Sequence, residues 1–174
     1  RRSSDLWVED NTIRLQVFRS DVHDHNDHTY GWTAYSRPRN QIGYFTLKTK
    51  GEITDCDLRQ DIYNARLKGR INTKLGSLNI DHFVHRHDDV IYTGIQASGE
   101  EKLSDWKWHP FEAKPSRGGD PGSKGYGQAY APYNKFKNSE HLVENYEGIY
   151  VGLQDLISGG DYATAWKESR VGND

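Results

Sequence analysis

The sequence predicts a mainly β fold, an antiparallel β-sandwich with two long loops and little helix, and three observations carry that expectation. Apolar residues alternate with polar ones at period two along most of the chain, as on strands with one buried and one wet face. Turn-forming residues interrupt these runs at short, even intervals, which suits strands joined by hairpins and not βαβ units. The composition is lean, with 34% hydrophobic but 12% aromatic residues in 174, as expected of a thin sandwich with solvated outer faces.

Taken in order, Ile13, Leu15 and Val17 alternate with Arg14, Gln16 and Phe18, and Tyr44-Phe45-Thr46-Leu47 reads as a second strand. Leu78, Ile80, His82 and Val84 alternate with Asn79, Asp81, Phe83 and His85, and Val90 to Ile95 is rich in β-branched and aromatic residues. Near the end, Ile149, Val151 and Leu153 alternate with Tyr150, Gly152 and Gln154, and Tyr162, Thr164 and Trp166 share one face of a further strand. Between them lie Glu9-Asp10-Asn11, Lys50-Gly51, Lys68-Gly69, Leu75-Gly76, His87-Asp88-Asp89, Ser98-Gly99 and Ser158-Gly159-Gly160, all turn signals. Helix is expected only as a turn or two over 139–146, started by Ser139 as N-cap, and as an alternative over 163–170. Two segments, about 21–40 and 104–137, break the rhythm and read as long loops.

A length of 174 residues suits a single domain, residues 1–174, with a core that needs no staples. The formal charge of -2 argues against nucleic acid as a partner, and no apolar run reaches membrane-spanning length. With one cysteine, Cys56, no intrachain disulfide can form. Asp55 and Asp57 flank it and oppose the thiolate, so Cys56 reads as structural. The chain opens on Arg1-Arg2-Ser3-Ser4 and holds no methionine, which predicts a piece of a longer gene product.

Motifs with chemistry are few. His23, His25 and His28 are interleaved with Asp21, Asp24 and Asp27; such density could chelate a divalent metal, but the spacing alone is a weak motif and the ordinary reading is a polar loop bonded to backbone and water. Alternation puts His85 and His87 on one strand face and His82 on the other, which favours a strand end entering a turn over a three-histidine site. No nucleophile elbow, phosphate loop or dinucleotide fingerprint occurs, so no cofactor is implied. Among 25 acidic residues, Glu100, Glu101, Glu112 and Glu144 lie in or near loops, and none is marked as a catalytic acid. The aromatics are more informative. Tyr30 and Trp32 in the first loop, and Trp106, Trp108, Tyr126, Tyr130 and Tyr133 in the second, are candidate platforms for the apolar faces of sugar rings. The same residues could instead pin the loops to a sheet as a satellite core.

The stretch from Asp5-Leu6-Trp7-Val8-Glu9-Asp10-Asn11 to Phe18-Arg19-Ser20-Asp21 resembles the opening of the β-sandwich ("supersandwich") domain that precedes the (α/α)6 barrel of bacterial glycoside hydrolases. The α-L-fucosidase-like family and a related N-terminal domain of unknown function belong to that group. Gly51-Glu52-Ile53 to Asp61, Gly76-Ser77-Leu78 to Arg86, and Asp89-Val90-Ile91 are similar to its later strands, and Gly159-Gly160-Asp161-Tyr162-Ala163 to Trp166 more loosely so. The resemblance covers about residues 5 to 97 and implies a non-catalytic, secreted or periplasmic bacterial domain. That domain would pack on a downstream helical barrel and contribute loops to carbohydrate binding. Two alternatives stand beside it, an independent carbohydrate-binding module and a metal-dependent enzyme using the His-rich loop. No catalytic residue carries over, because the barrel that holds the carboxylates lies outside these residues.

Overall fold

A computed structural model of the chain describes residues 2–19, 22, 42–111, 141–155 and 160–170. Among these residues the fold is all β, with no helix, and the strands pair antiparallel in β2–β3, β4–β5, β5–β6, β6–β7, β9–β10 and β10–β11. The strands are β1 (Arg2–Glu9), β2 (Thr12–Arg19), β3 (Gly43–Lys48), β4 (Ile53–Asp61), β5 (Arg66–Thr73), β6 (Gly76–Val84), β7 (Ile91–Gly99), β8 (Lys107–Pro110), β9 (Leu142–Tyr146), β10 (Ile149–Asp155) and β11 (Asp161–Trp166). They divide between two compact units, with β1 to β8, through His109, in one and β9 to β11 in the other.

The first unit is a sandwich of two four-stranded sheets, ordered β1-β2-β3-β8 and β4-β5-β6-β7. Ile13 and Leu47 from the first sheet and Ile71, Leu78 and Ile80 from the second form one buried cluster. Leu6, Val8, Leu58, Leu67, Ile95 and Trp106 pack around it. The period-two alternation therefore does what it predicts, burying one face of each strand. Loop chemistry fixes the register. Asp10 and Asn11 both adopt positive φ, 44° and 58°, so the β1–β2 hairpin closes in a two-residue turn of the type that matches strand twist. Asn11 Oδ1 also accepts from the Ile53 N–H at 2.7 Å, pinning the start of β4 to that turn. At the β4–β5 loop, the Asp61 carboxylate accepts from the Asn64 backbone and side chain, while Ala65 takes φ 51°.

The edges of the second sheet differ. β4 carries Asp55, Asp57, Arg59 and Asp61 along its length and is irregular between Ile53 and Asp55. β7 runs nine residues, Ile-Tyr-Thr-Gly-Ile-Gln-Ala-Ser-Gly, without a charge or a proline.

The second unit contains the meander β9-β10-β11. Its first turn, Glu147-Gly148, has both φ values positive, and Asn145 Oδ1 accepts from the Gly148 N–H at 3.0 Å. This corrects the expected helix over 139–146 across its described part. The Asn145 side chain and Gly148 favour a two-residue hairpin, and Leu142–Tyr146 pairs with β10. The helical alternative over 163–170 is likewise replaced by β11, whose ladder with β10 runs from Asp161 to Trp166. Here Gln154 and Tyr162 are buried, while Val143, Tyr146, Ile149 and Tyr150 are exposed.

Candidate functional site

The buried ionisable side chains of the sandwich hold strands together. Glu101, only 4% exposed, accepts from Thr73 Oγ1 at 2.5 Å and from the backbone N–H groups of Lys50 and Gly51 at 2.7 and 2.9 Å. Burial pushes its carboxyl pKa up, but the bonds from Thr73, Lys50, Gly51 and Lys102 outweigh that and hold it below the ordinary value. Gly51 has no room for a Cβ, which would sit 2.7 Å from Glu101 Oε2. His82, also buried, places Nε2 at 2.7 Å from Ser4 Oγ on β1 and Nδ1 at 2.8 Å from Thr93 Oγ1 on β7. It thus stitches the two sheets together, and burial holds its pKa below the usual imidazole value. Cys56 is exposed; desolvation, then Asp55 and Asp57, push its thiol pKa up, which opposes the thiolate as its acidic neighbours predict.

The His85–Asp89 segment leaves the sheet as a turn, closed by the His85 N–H donating to Val90 O at 2.8 Å. His85 Nδ1 sits 3.1 Å from the Asp88 backbone N and 3.0 Å from its carboxylate. No group of three or more His, Cys, Asp or Glu that could hold a metal occurs among the described residues. His23, His25 and His28 lie outside the described residues, as do Tyr30, Trp32, Tyr126, Tyr130 and Tyr133.

Trp106 and Trp108 are described. Lys107–Pro110 is the strand β8 and not loop, which corrects the start of the expected 104–137 loop. The cause is packing: Trp108 lies 4.5 Å from the Phe45 ring and closes over Gly43, where an added Cβ would meet its ring at 2.5 Å. Trp106 meets Phe45 edge-on at 6.3 Å and packs against the core cluster. On the opposite face of that sheet, Arg14 lies over Tyr44 at 3.6 Å and Trp7 at 5.1 Å, and Tyr44 stacks on His109 at 4.6 Å. All four of Trp7, Arg14, Tyr44 and His109 are half-buried.

The outer face of the second sheet presents a different constellation. Cross-strand register places Asp61, Arg66, Phe83 and Tyr92 in one row, Arg59, Lys68, Asp81 and Gly94 in the next, and Asp57, Arg70, Asn79 and Gln96 in the third. Tyr92, 50% exposed, packs beside Phe83 at 5.1 Å. Its ring lies along the strand over Gly94, where an added Cβ would come within 2.9 Å of the hydroxyl and 3.1 Å of the ring. Arg66 covers Phe83 at 4.8 Å and grips Asp81 with two bonds, at 3.0 and 2.6 Å. The result is an aromatic surface laid down on the sheet and bordered by amides and a fixed guanidinium–carboxylate pair. Such a surface can hold a flat, half-apolar ligand and bond its edge.

Sequence reasoning missed this group because it spans three strands. The one local signal was Tyr92-Thr93-Gly94, an aromatic two residues before a glycine on the same face. A scan of the chain against protein-family models found no match, and neither did searches among curated proteins and solved structures.

Proposed function

We propose that this chain is a non-catalytic β-sandwich domain of a glycoside hydrolase, of the supersandwich kind that its strand motifs resemble. It packs on a downstream (α/α)6 catalytic barrel in a secreted or periplasmic bacterial protein and contacts carbohydrate on its partner's behalf. The observation that carries the reading is the Tyr92 surface, where an exposed ring lies over Gly94 beside Phe83 and the Arg66–Asp81 pair. A pyranose offers an apolar face to such a ring and hydroxyls to the amides around it. The buried Glu101 ties the Lys50-Gly51 turn to the end of β5, and the buried His82 bonds β1 to β7, which fits a domain built for support. The loop aromatics Tyr30, Trp32, Tyr126, Tyr130 and Tyr133 remain further candidate contacts in this reading.

A second reading, an independent carbohydrate-binding module, is favoured by the same surface, since it lies on one sheet and needs no other domain to complete it. Affinity electrophoresis of the purified chain through polysaccharide gels tests both. Retardation that Tyr92→Ala weakens supports a carbohydrate contact here, and retardation by the isolated chain favours the independent module. A folded chain that no polysaccharide retards, alone or fused to its downstream region, refutes both.

A further inference from the structure

The charges on the outer face of the second sheet are unevenly placed, and this deepens the carbohydrate reading by defining the ligand. On β4 and β5 the face carries Asp55, Asp57, Arg59, Asp61, Arg66, Lys68 and Arg70. On β6 and β7 it carries Ser77, Asn79, Asp81 and Phe83, then Tyr92, Gly94, Gln96 and Ser98. Asp81 is the one charge on that half, and Arg66 neutralises it through two bonds. Ser77 and Ser98 bond one another at 2.7 Å, which leaves Asn79 and Gln96, side by side and exposed, as the nearest groups able both to donate and to accept.

We infer that the ligand is an uncharged oligosaccharide lying along β7, with one ring on Tyr92 and its hydroxyls bonded by Gln96 and Asn79. This rests on the carbohydrate reading above and adds to it the class and direction of the ligand. The Tyr92 ring lies over Gly94, two residues or about 7 Å from Gln96 along the strand, so a sugar ring seated on Tyr92 has Gln96 at its edge. Neutral hydroxyls suit amides of mixed donor and acceptor character. An anionic sugar would instead belong over Arg59 and Lys68, which stand directly opposite one another on β4 and β5.

The test is a titration of the full chain with a matched pair, dextran and dextran sulfate, extended to neutral glucans, xylans and mannans and to polygalacturonate. At least one neutral glycan binds, with affinity changing less than about twofold from low to high salt. Tyr92→Ala weakens that binding roughly tenfold or more, and Gln96→Ala, which leaves the Phe83–Tyr92 pair in place, weakens it several-fold. Binding confined to dextran sulfate or polygalacturonate, abolished by salt or by Arg59→Gln with Lys68→Gln, overturns the uncharged ligand but keeps a sugar-binding face. Neutral binding that ignores both Tyr92→Ala and Gln96→Ala overturns the placement on β7. A folded chain that binds no glycan overturns this inference and the carbohydrate reading together.

Discussion

Replacing Glu101 by glutamine removes one charge from a site that the surrounding donors have built. The carboxylate receives a hydroxyl from Thr73 and two backbone N–H groups from Lys50 and Gly51, all within 2.9 Å, at a residue 4% exposed. Hydrogen bonds to a buried charge contribute about 1.5–3 kcal/mol each, and a buried donor left unsatisfied costs about 1–3 kcal/mol. Glutamine keeps one acceptor oxygen and turns an NH2 toward donors, so at least one bond is lost and one donor is opposed. A loss of roughly 2–4 kcal/mol follows, and Glu101→Ala, which strands all three donors, loses roughly 3–5 kcal/mol. Urea denaturation followed by tryptophan fluorescence measures both. The carboxyl pKa is lower in the folded chain than in the unfolded one, so this stabilisation is complete above the unfolded value. It falls away as the pH drops through the folded value, and the glutamine variant lacks that acid-dependent part. If Glu101→Gln lies within about 0.5 kcal/mol of the parent at neutral pH, the three bonds do not hold the Lys50-Gly51 turn to β5 and the reasoning fails.

His82 sits between Ser4 and Thr93 at 5% exposure, and burial holds its pKa lower in the folded chain than in the unfolded one. Stability therefore declines as the pH falls below the unfolded imidazole value of about 6.5, and His82→Gln flattens that part of the pH profile while lowering stability at neutral pH; an unchanged slope would count against the buried neutral ring. Gly69→Ala drives a Cβ into the backbone oxygen of Asp57 on β4, so it destabilises by roughly 1–3 kcal/mol and loosens β4 in hydrogen exchange. The Arg66–Asp81 pair is bidentate but over a third exposed on both sides, so a double-mutant cycle should return no more than about 1 kcal/mol.

Local signals sufficed for β2, β3, β6 and β7, whereas Lys68-Gly69, expected as a turn, lies inside β5, where its backbone is paired with β4 on one side and β6 on the other. Ile13, Leu47, Leu78 and Ile80 are buried where the alternation puts them, because burying one strand face needs only the period-two pattern. Alternation places His82 on the strand face away from His85, and there it is buried, although its bonds to β1 and β7 were not legible. At the two expected helices, side-chain and glycine turn chemistry around Asn145 and Gly148, and the ladder to β11, outweighed local preference. Glu101 looked like any loop acid, since its partners lie about thirty and fifty residues away. The Tyr92 surface was hidden for the same reason. Phe83 and Arg66 join it through strand register, and register is a property of paired chains.

The contrast between the outer strands of the second sheet has a consequence for growth. β4 meets solvent with an irregular start and alternating charges, features that discourage another backbone from docking. β7 has neither. Its nine uncharged residues keep their small or apolar members, Thr93, Ile95 and Ala97, facing the core, so an added antiparallel strand would extend that core with no repulsion to overcome. Among the described residues the sheet is thus directional, with one flank guarded against a further strand and the other carrying no such guard. A lysine at Gln96 or Ser98 would close the open flank, and would be the first change to make if the purified domain associates at high concentration.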